Sequence, residues 1–214
     1  FTRMITSPAR VIETHGLTEL LVLPQGPLRE RAGVWALEQW SYPDFAELRD
    51  AHPGMDITGW AIAESHHQRS EGTVPAAVPT MFVSANYFRT IGLSLAQGSG
   101  FDSEGIDAQS DSPSAQPRVV VGHDFWRNIL SSDPDIVGKT ITLDNVQHTV
   151  AGIAPADYHG HLDDDFAPGV QLFAPLGRHP RLRNDSSLAF NRDVDWVHIY
   201  GRLSPGVSIV QGAG

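Results

Sequence analysis

The chain has 214 residues, 41% of them hydrophobic, with 15 Lys and Arg against 25 Asp and Glu, for a formal net charge of -10. A chain of this length buries roughly 70% of the surface it exposes when unfolded, so it builds a core, as one large domain or two small ones. The acidic balance disfavours nucleic acid and anionic lipid as partners, and the lack of cysteine excludes disulfides, thiolate nucleophiles and cysteine-based zinc sites.

No run approaches the ~18 apolar residues of a membrane-spanning helix, and "FTRMITSPAR" lacks the apolar centre of a secretory leader. The missing initiating Met and the ending "SIVQGAG" lead to the expectation of a piece of a longer chain. The first apolar run, Leu17 to Leu23 in "LTELLVLPQG", is bounded by Gly16, Pro24 and Gly26, and its length suits a buried strand. In "SYPDFAELRDAHPG", Ser41 is a cap, Pro43 lies in the first turn and Asp44 near the positive helix end. The helix runs to about Ala51, before Pro53 and Gly54, with Phe45 and Leu48 on one face.

Two strands are expected in "ITGWAIAES" and "AAVPTMFVS", joined by a polar turn, "HHQRSEGT", that carries His66 and His67 into solvent. In "VSANYFRTIG", Ser84 is expected to cap a short helix, Gly92 to end it in the left-handed conformation, and Tyr87, Phe88 and Ile91 to cover the edge of a core. From Asp102 to Pro117 the chain is acidic, with Ile106 its one large apolar residue, and reads as a mobile surface loop. "RVVVG" then gives a buried strand and "HDFWRNIL" a helix whose Phe125, Trp126 and Ile129 share a face. "GKTITLDNVQHTVAGIAP" alternates around Asp144-Asn145 as a hairpin. After a loop, "DYHGHLDDDFAPG", comes an apolar run from Val170 to Leu176 and then a polar stretch rich in Arg. In "VDWVHIYGRL" a strand is expected with Trp196, His198 and Tyr200 on one face and Val197 and Ile199 on the other, and Ser204-Pro205 reads as a helix start.

Reactive chemistry has weak support in these residues. His159, His161 and Asp163, with Asp164 and Asp165, offer nitrogen and oxygen ligands in one loop, but a zinc site there lacks a third ligand at a defined spacing and matches neither H-E-x-x-H nor a calcium loop. No G-x-S-x-G elbow or P-loop occurs, and "GSGFDSEG" lacks the strand-to-helix context of a dinucleotide site. Asp102 and Glu104 have the surroundings of a solvated loop rather than of an acid–base pair.

Four segments in order, "WSYPDFAELRD", "VSANYFRTIGLSLAQGSGFDSEG", "RVVVGHDFWRNILSSDPDIVGKTITLDNVQHTVAGIAP" and "VHIYGRLSPGVS", resemble the MacB-like periplasmic core domain of bacterial ABC-transporter permeases. The resemblance spans about Trp40 to the C-terminus and points in particular to the large duplicated permeases of soil bacteria. It implies an α+β, two-lobed fold: a porter-like α/β subdomain from residues 17–83 and 194–214, interrupted by a smaller inserted α/β subdomain of the Sabre type over 84–193. It implies a place on the periplasmic or extracellular face of the cytoplasmic membrane, between two transmembrane helices. The implied partners are those helices, a second permease copy or half, a periplasmic adaptor and an ATPase subunit.

Against that family pattern the acidic loop is long, the N-terminal strand matches poorly and the closing porter-like helix is missing. The resemblance carries over no catalytic residue and no cofactor. The expected function is therefore a non-catalytic extracytoplasmic domain used for substrate gating, partner docking or mechanical coupling to cytoplasmic ATP hydrolysis. The alternatives are a metal-dependent hydrolase built on His159, His161 and Asp163, and a solute-binding module.

Overall fold

Ser41 sets the first helix as its sequence context predicts: its Oγ accepts from the Asp44 N–H at 3.2 Å and donates to Asp44 Oδ2 at 2.6 Å. The structure, a computed structural model, describes residues 17–18, 39–51, 55–70, 72–101, 116–160 and 169–203. In chain order these form β1 (Leu17–Thr18), β2 (Trp40–Ser41), α1 (Tyr42–Ala51), β3 (Met55–Gln68), β4 (Ala76–Val83), α2 (Tyr87–Ile91) and β5 (Gln97–Gly98). They continue with β6 (Arg118–Val121), α3 (His123–Asn128), β7 (Thr140–Leu143), β8 (Val146–Ile153), β9 (Leu172–Pro175), α4 (Pro180–Asn184) and β10 (Asp195–Leu203). Short 3-10 turns at Leu176–Arg178 and Ser186–Ala189 flank α4. The class is α+β, as expected.

The strands follow the order β1-β10-β3-β4-β9-β6-β8-β5, with β2 on β10 and β7 paired to both β3 and β8. That second pairing closes a ring, β3-β4-β9-β6-β8-β7. The long β3 makes this possible by dividing one edge: Trp60 and the residues before it pair with β10, while His67 and Gln68 pair with Leu143 and Thr142 of β7. Because side chains alternate across a strand, the registers decide what faces the interior. Ser65 faces Val78, His67 faces Leu143, Ile141 faces His148, Val119 faces Val150 and Val121 faces Leu172. Val78, Val119, Val121, Leu143, Val150 and Leu172 accordingly form one buried cluster, with Phe125 of α3 packed into it. The β7–β8 turn is formed by Asp144 and Asn145 at φ 50° and 61°, the left-handed pair that a two-residue hairpin requires.

Two further clusters lie on the outer layers. Under α1, the Phe45 ring joins Ile57, Phe82, Leu176, Leu182, Trp196 and Val197. Burying a ring of this size contributes about 1.5–3 kcal/mol. β3 admits it at Gly59, where a Cβ would fall 2.8 Å from Phe45 Cε2 and 2.9 Å from Val197 Cγ1. Beside α2, Tyr87, Phe88 and Ile91 pack with Trp60, Met81, Phe101, Val120, Tyr158 and Phe173. These residues sit inside a core rather than at its edge.

Two further expectations are corrected. His66 and His67 are strand residues of β3 rather than a turn, and only His66 reaches solvent; β7 pairs beside His67, which is 7% exposed with its ring edge-on to Phe125 at 5.2 Å. Trp196 does not share a face with His198 and Tyr200. A register shift between Asp195 and Val197 against β2 breaks the alternation, so Trp196 stacks on Tyr42 and joins the α1 cluster with Val197 and Ile199. The Arg-rich stretch holds α4, begun by Pro180 at its first position and by His179, whose Nδ1 accepts from the Arg181 N–H at 3.2 Å. Most of the Leu17 to Leu23 run, the acidic segment 102–115 and the Ser204-Pro205 helix start lie outside the described residues.

Candidate functional site

The site with most structure is the crossing from β4 to α2, at Ser84. Ser84 is fully buried and its hydroxyl does not cap α2 as expected, since three groups nearer to it compete. Ser84 Oγ donates to Asn86 Oδ1 at 2.9 Å, accepts from the Gly59 N–H at 3.0 Å and lies 2.6 Å from Thr58 Oγ1. Asn86 Nδ2 then donates to the Ile57 carbonyl at 2.8 Å. The crossing is thus tied to β3 at three successive residues, and a satisfied buried polar network of this kind fixes one geometry. Gly92 ends α2 at φ 73°, as its place in the sequence predicts.

Behind this network two phenols meet: Tyr87 Oη and Tyr158 Oη are 2.7 Å apart, and the Tyr87 hydroxyl donates to Met81 Sδ at 3.2 Å. Burial, first among the causes, raises both above the ordinary tyrosine range. Both keep their hydroxyl protons at physiological pH and act as neutral cross-links. On the next strand, Arg202 Nε donates to the Thr90 carbonyl at 2.5 Å and so fastens β10 to α2.

An aromatic stack extends the same face outward. His198 lies on Trp60 at 4.3 Å, and Tyr200 stacks on the same indole at 5.8 Å. The Gln39 amide lies 3.0 Å from His198 Nε2, which places the ring proton on Nδ1, and burial lowers the imidazole to about 4. His179, between Phe82 and Trp196, is also lowered to about 4 by burial, with the Ile62 carbonyl working in the opposite direction. Both histidines are neutral packing groups in the folded chain.

His159 is exposed and borders a small cavity, about 150 Å³, lined also by His123, Asp124, Val170 and Gln171. His161 and Asp163 to Asp165 lie outside the described residues, among which no three His, Asp or Glu side chains are grouped for a metal ion. The loop signal in the sequence therefore rests on His159 alone here. Sequence reasoning missed Thr58, Asn86, Tyr158 and Arg202 as members of the junction. Each is unremarkable in its own segment, and the pairing of β3 with β4 and with β10 brings Thr58, Asn86 and Arg202 together.

A mixed sheet with few helices gives this chain its α+β fold. Three solved structures share it: a permease domain from Porphyromonas gingivalis (TM-score 0.53, 17% identity, covering 80% of this chain and 65% of that one), the periplasmic region of MacB from Actinobacillus actinomycetemcomitans (0.54, 14%, 82% and 70%), and the extracellular domain of the noncanonic ABC-type transporter YknZ from Gram-positive bacteria (0.51, 10%, 78% and 75%). At those identities the likeness is one of fold. The chain belongs to the MacB-like periplasmic core domain family, whose model matches residues 6–213. Among curated proteins, macrolide export ATP-binding/permease proteins MacB 1 and MacB 2 of Yersinia pestis are 28% identical over 82 residues. Those residues are 38% of this chain and 12% of each relative, so the chain matches a small part of their length. Membership places the domain on the periplasmic face of the membrane.

Proposed function

We propose that the domain is a non-catalytic transmitter in an ABC-type permease, displaced as cytoplasmic ATP hydrolysis moves the adjoining transmembrane helices. One observation carries the reading: the cluster around Tyr87 and Phe88 joins Trp60, Met81 and Val83 of the chain-end strands to Val120, Tyr158 and Phe173 of the inserted segment, so displacement of one part is passed to the other through packed rings. The two-lobe division, 17–83 with 194–214 and 84–193 inserted, is part of this proposal. Under it Leu176 and Leu182 of the inserted segment fasten it to Phe45 and Trp196 of the first lobe. The partners are the flanking helices, a second permease copy or half, a periplasmic adaptor and an ATPase. By likeness to the MacB relatives, the whole transporter is an exporter. No residue of this chain is assigned to catalysis or to a cofactor.

The test is Arg202→Ala in the full-length permease. Removing the guanidinium that fastens β10 to α2 leaves ATP hydrolysis near its original rate and lowers transport about tenfold, as a coupling contribution of roughly 1–2 kcal/mol requires. Transport and hydrolysis falling together, or neither changing, contradicts the reading.

A further inference from the structure

The six-stranded ring is unevenly stitched. β3 and β4 share eight residue pairs, and β4–β9, β6–β8 and β7–β8 share four each, whereas β6–β9 and β3–β7 share two each. The two short seams face each other across the ring, so they divide it into equal halves, β3-β4-β9 and β6-β8-β7.

The seams differ in what covers them. At β6–β9 all four residues, Val120, Val121, Leu172 and Phe173, are fully buried, with one side in the α2 cluster and the other in the barrel. The chain also passes between the halves beside this seam, where Ala154 N donates to the Val121 carbonyl and Val170 N to the His159 carbonyl. At β3–β7 only the inner face is buried, by His67 and Leu143; Gln68 and Thr142 are half-exposed on the outer face. Among the described residues, Asp144 adds hydrogen bonds across that seam to its two pairs. Asp144 Oδ1 accepts from the His66 N–H at 2.9 Å and lies 3.2 Å from His66 Nδ1, while Oδ2 accepts from Arg183 Nη1 at 3.2 Å. The Asp144 N–H completes the grip on the His66 carbonyl at 2.9 Å. From the turn of one half, Asp144 thus holds the other half at β3 and at α4.

We propose that the barrel opens as a clamshell, with the buried β6–β9 seam as its hinge, the β3–β7 seam as its mouth and Asp144 as the latch. This deepens the reading of a force-transmitting domain by naming the joint that yields. It is tested apart from that reading, because the experiment needs neither membrane nor transport. Local opening is expected where backbone hydrogen bonds face solvent and apolar cover is thin.

Hydrogen exchange on the 214-residue chain reads it directly. Segments 64–70 and 140–146 exchange faster than 118–122 and 170–174. Asp144→Gly, which keeps the turn's left-handed backbone and removes the latch, speeds the first pair about tenfold and leaves the second unchanged. In a chain without cysteine, the double variant Gln68→Cys with Thr142→Cys places one disulfide across the mouth at directly paired positions. Oxidation slows exchange at 64–70 and 140–146 several-fold relative to the same variant reduced, a comparison that holds even where Asp144→Gly does not fold. Faster exchange at β6–β9 than at β3–β7, equal acceleration in both seams, or no effect of the disulfide overturns the proposal.

Discussion

His198 and His179 show how a titratable side chain becomes a packing group. Each is flanked by aromatic rings and held near pKa 4 by burial, against about 6.5 in an unfolded chain. The sign follows from proton counting. Between those values the unfolded chain binds protons that the folded chain refuses, so stability is full above about pH 6.5, declines as pH falls towards 4 and levels off below. Burial lowers His67 and His148 in the same direction. Urea denaturation at a series of pH values is expected to show this decline, and His198→Gln to flatten it by up to about 1.4 kcal/mol per pH unit. A stability that is level from pH 7 to 4.5 contradicts the assignment.

Among the elements, α1 and β3 pack closely where the Phe45 ring meets the bare backbone of Gly59. Gly59→Ala puts a methyl at 2.8 Å from the ring, too close without movement, and is expected to cost about 1–3 kcal/mol in urea unfolding. Combined with Phe45→Leu it costs less than the sum of the two changes, whereas strict additivity shows that the ring is not what excludes the methyl. Elements with local signals were legible in the sequence: Ser41 and Asp44 at α1, Asp144-Asn145 in its hairpin, Gly92 at the end of α2. The strand carrying His66 and His67 was not, because their polarity reads as a turn until β7 is placed beside them. The same holds for the site. "VSANYFRTIG" marks the crossing, but Ser84 turns to Thr58 and Gly59 instead of to its own helix because β3 offers a buried hydroxyl and an N–H there. A regular alternation also misplaces Trp196, since one shift in register moves it to the other face.

On the scale of the whole molecule, the three apolar clusters are linked by strands common to them. β4 contributes Val78 to the barrel, Phe82 to the α1 cluster and Met81 to the α2 cluster, and β9 contributes Leu172, Ala174 and Phe173 in the same way. Under the proposed function, these shared strands pass a push on any layer to the other two. Val137 is exposed to solvent, and a cysteine there is the only one in this chain. In the full-length permease with its other cysteines removed, reconstituted in liposomes, a fluorophore at Val137→Cys reports its distance to acceptors in the lipid headgroups. The account predicts that energy transfer changes when ATP is added and returns when hydrolysis is complete; transfer that stays constant while ATP is being hydrolysed would contradict it.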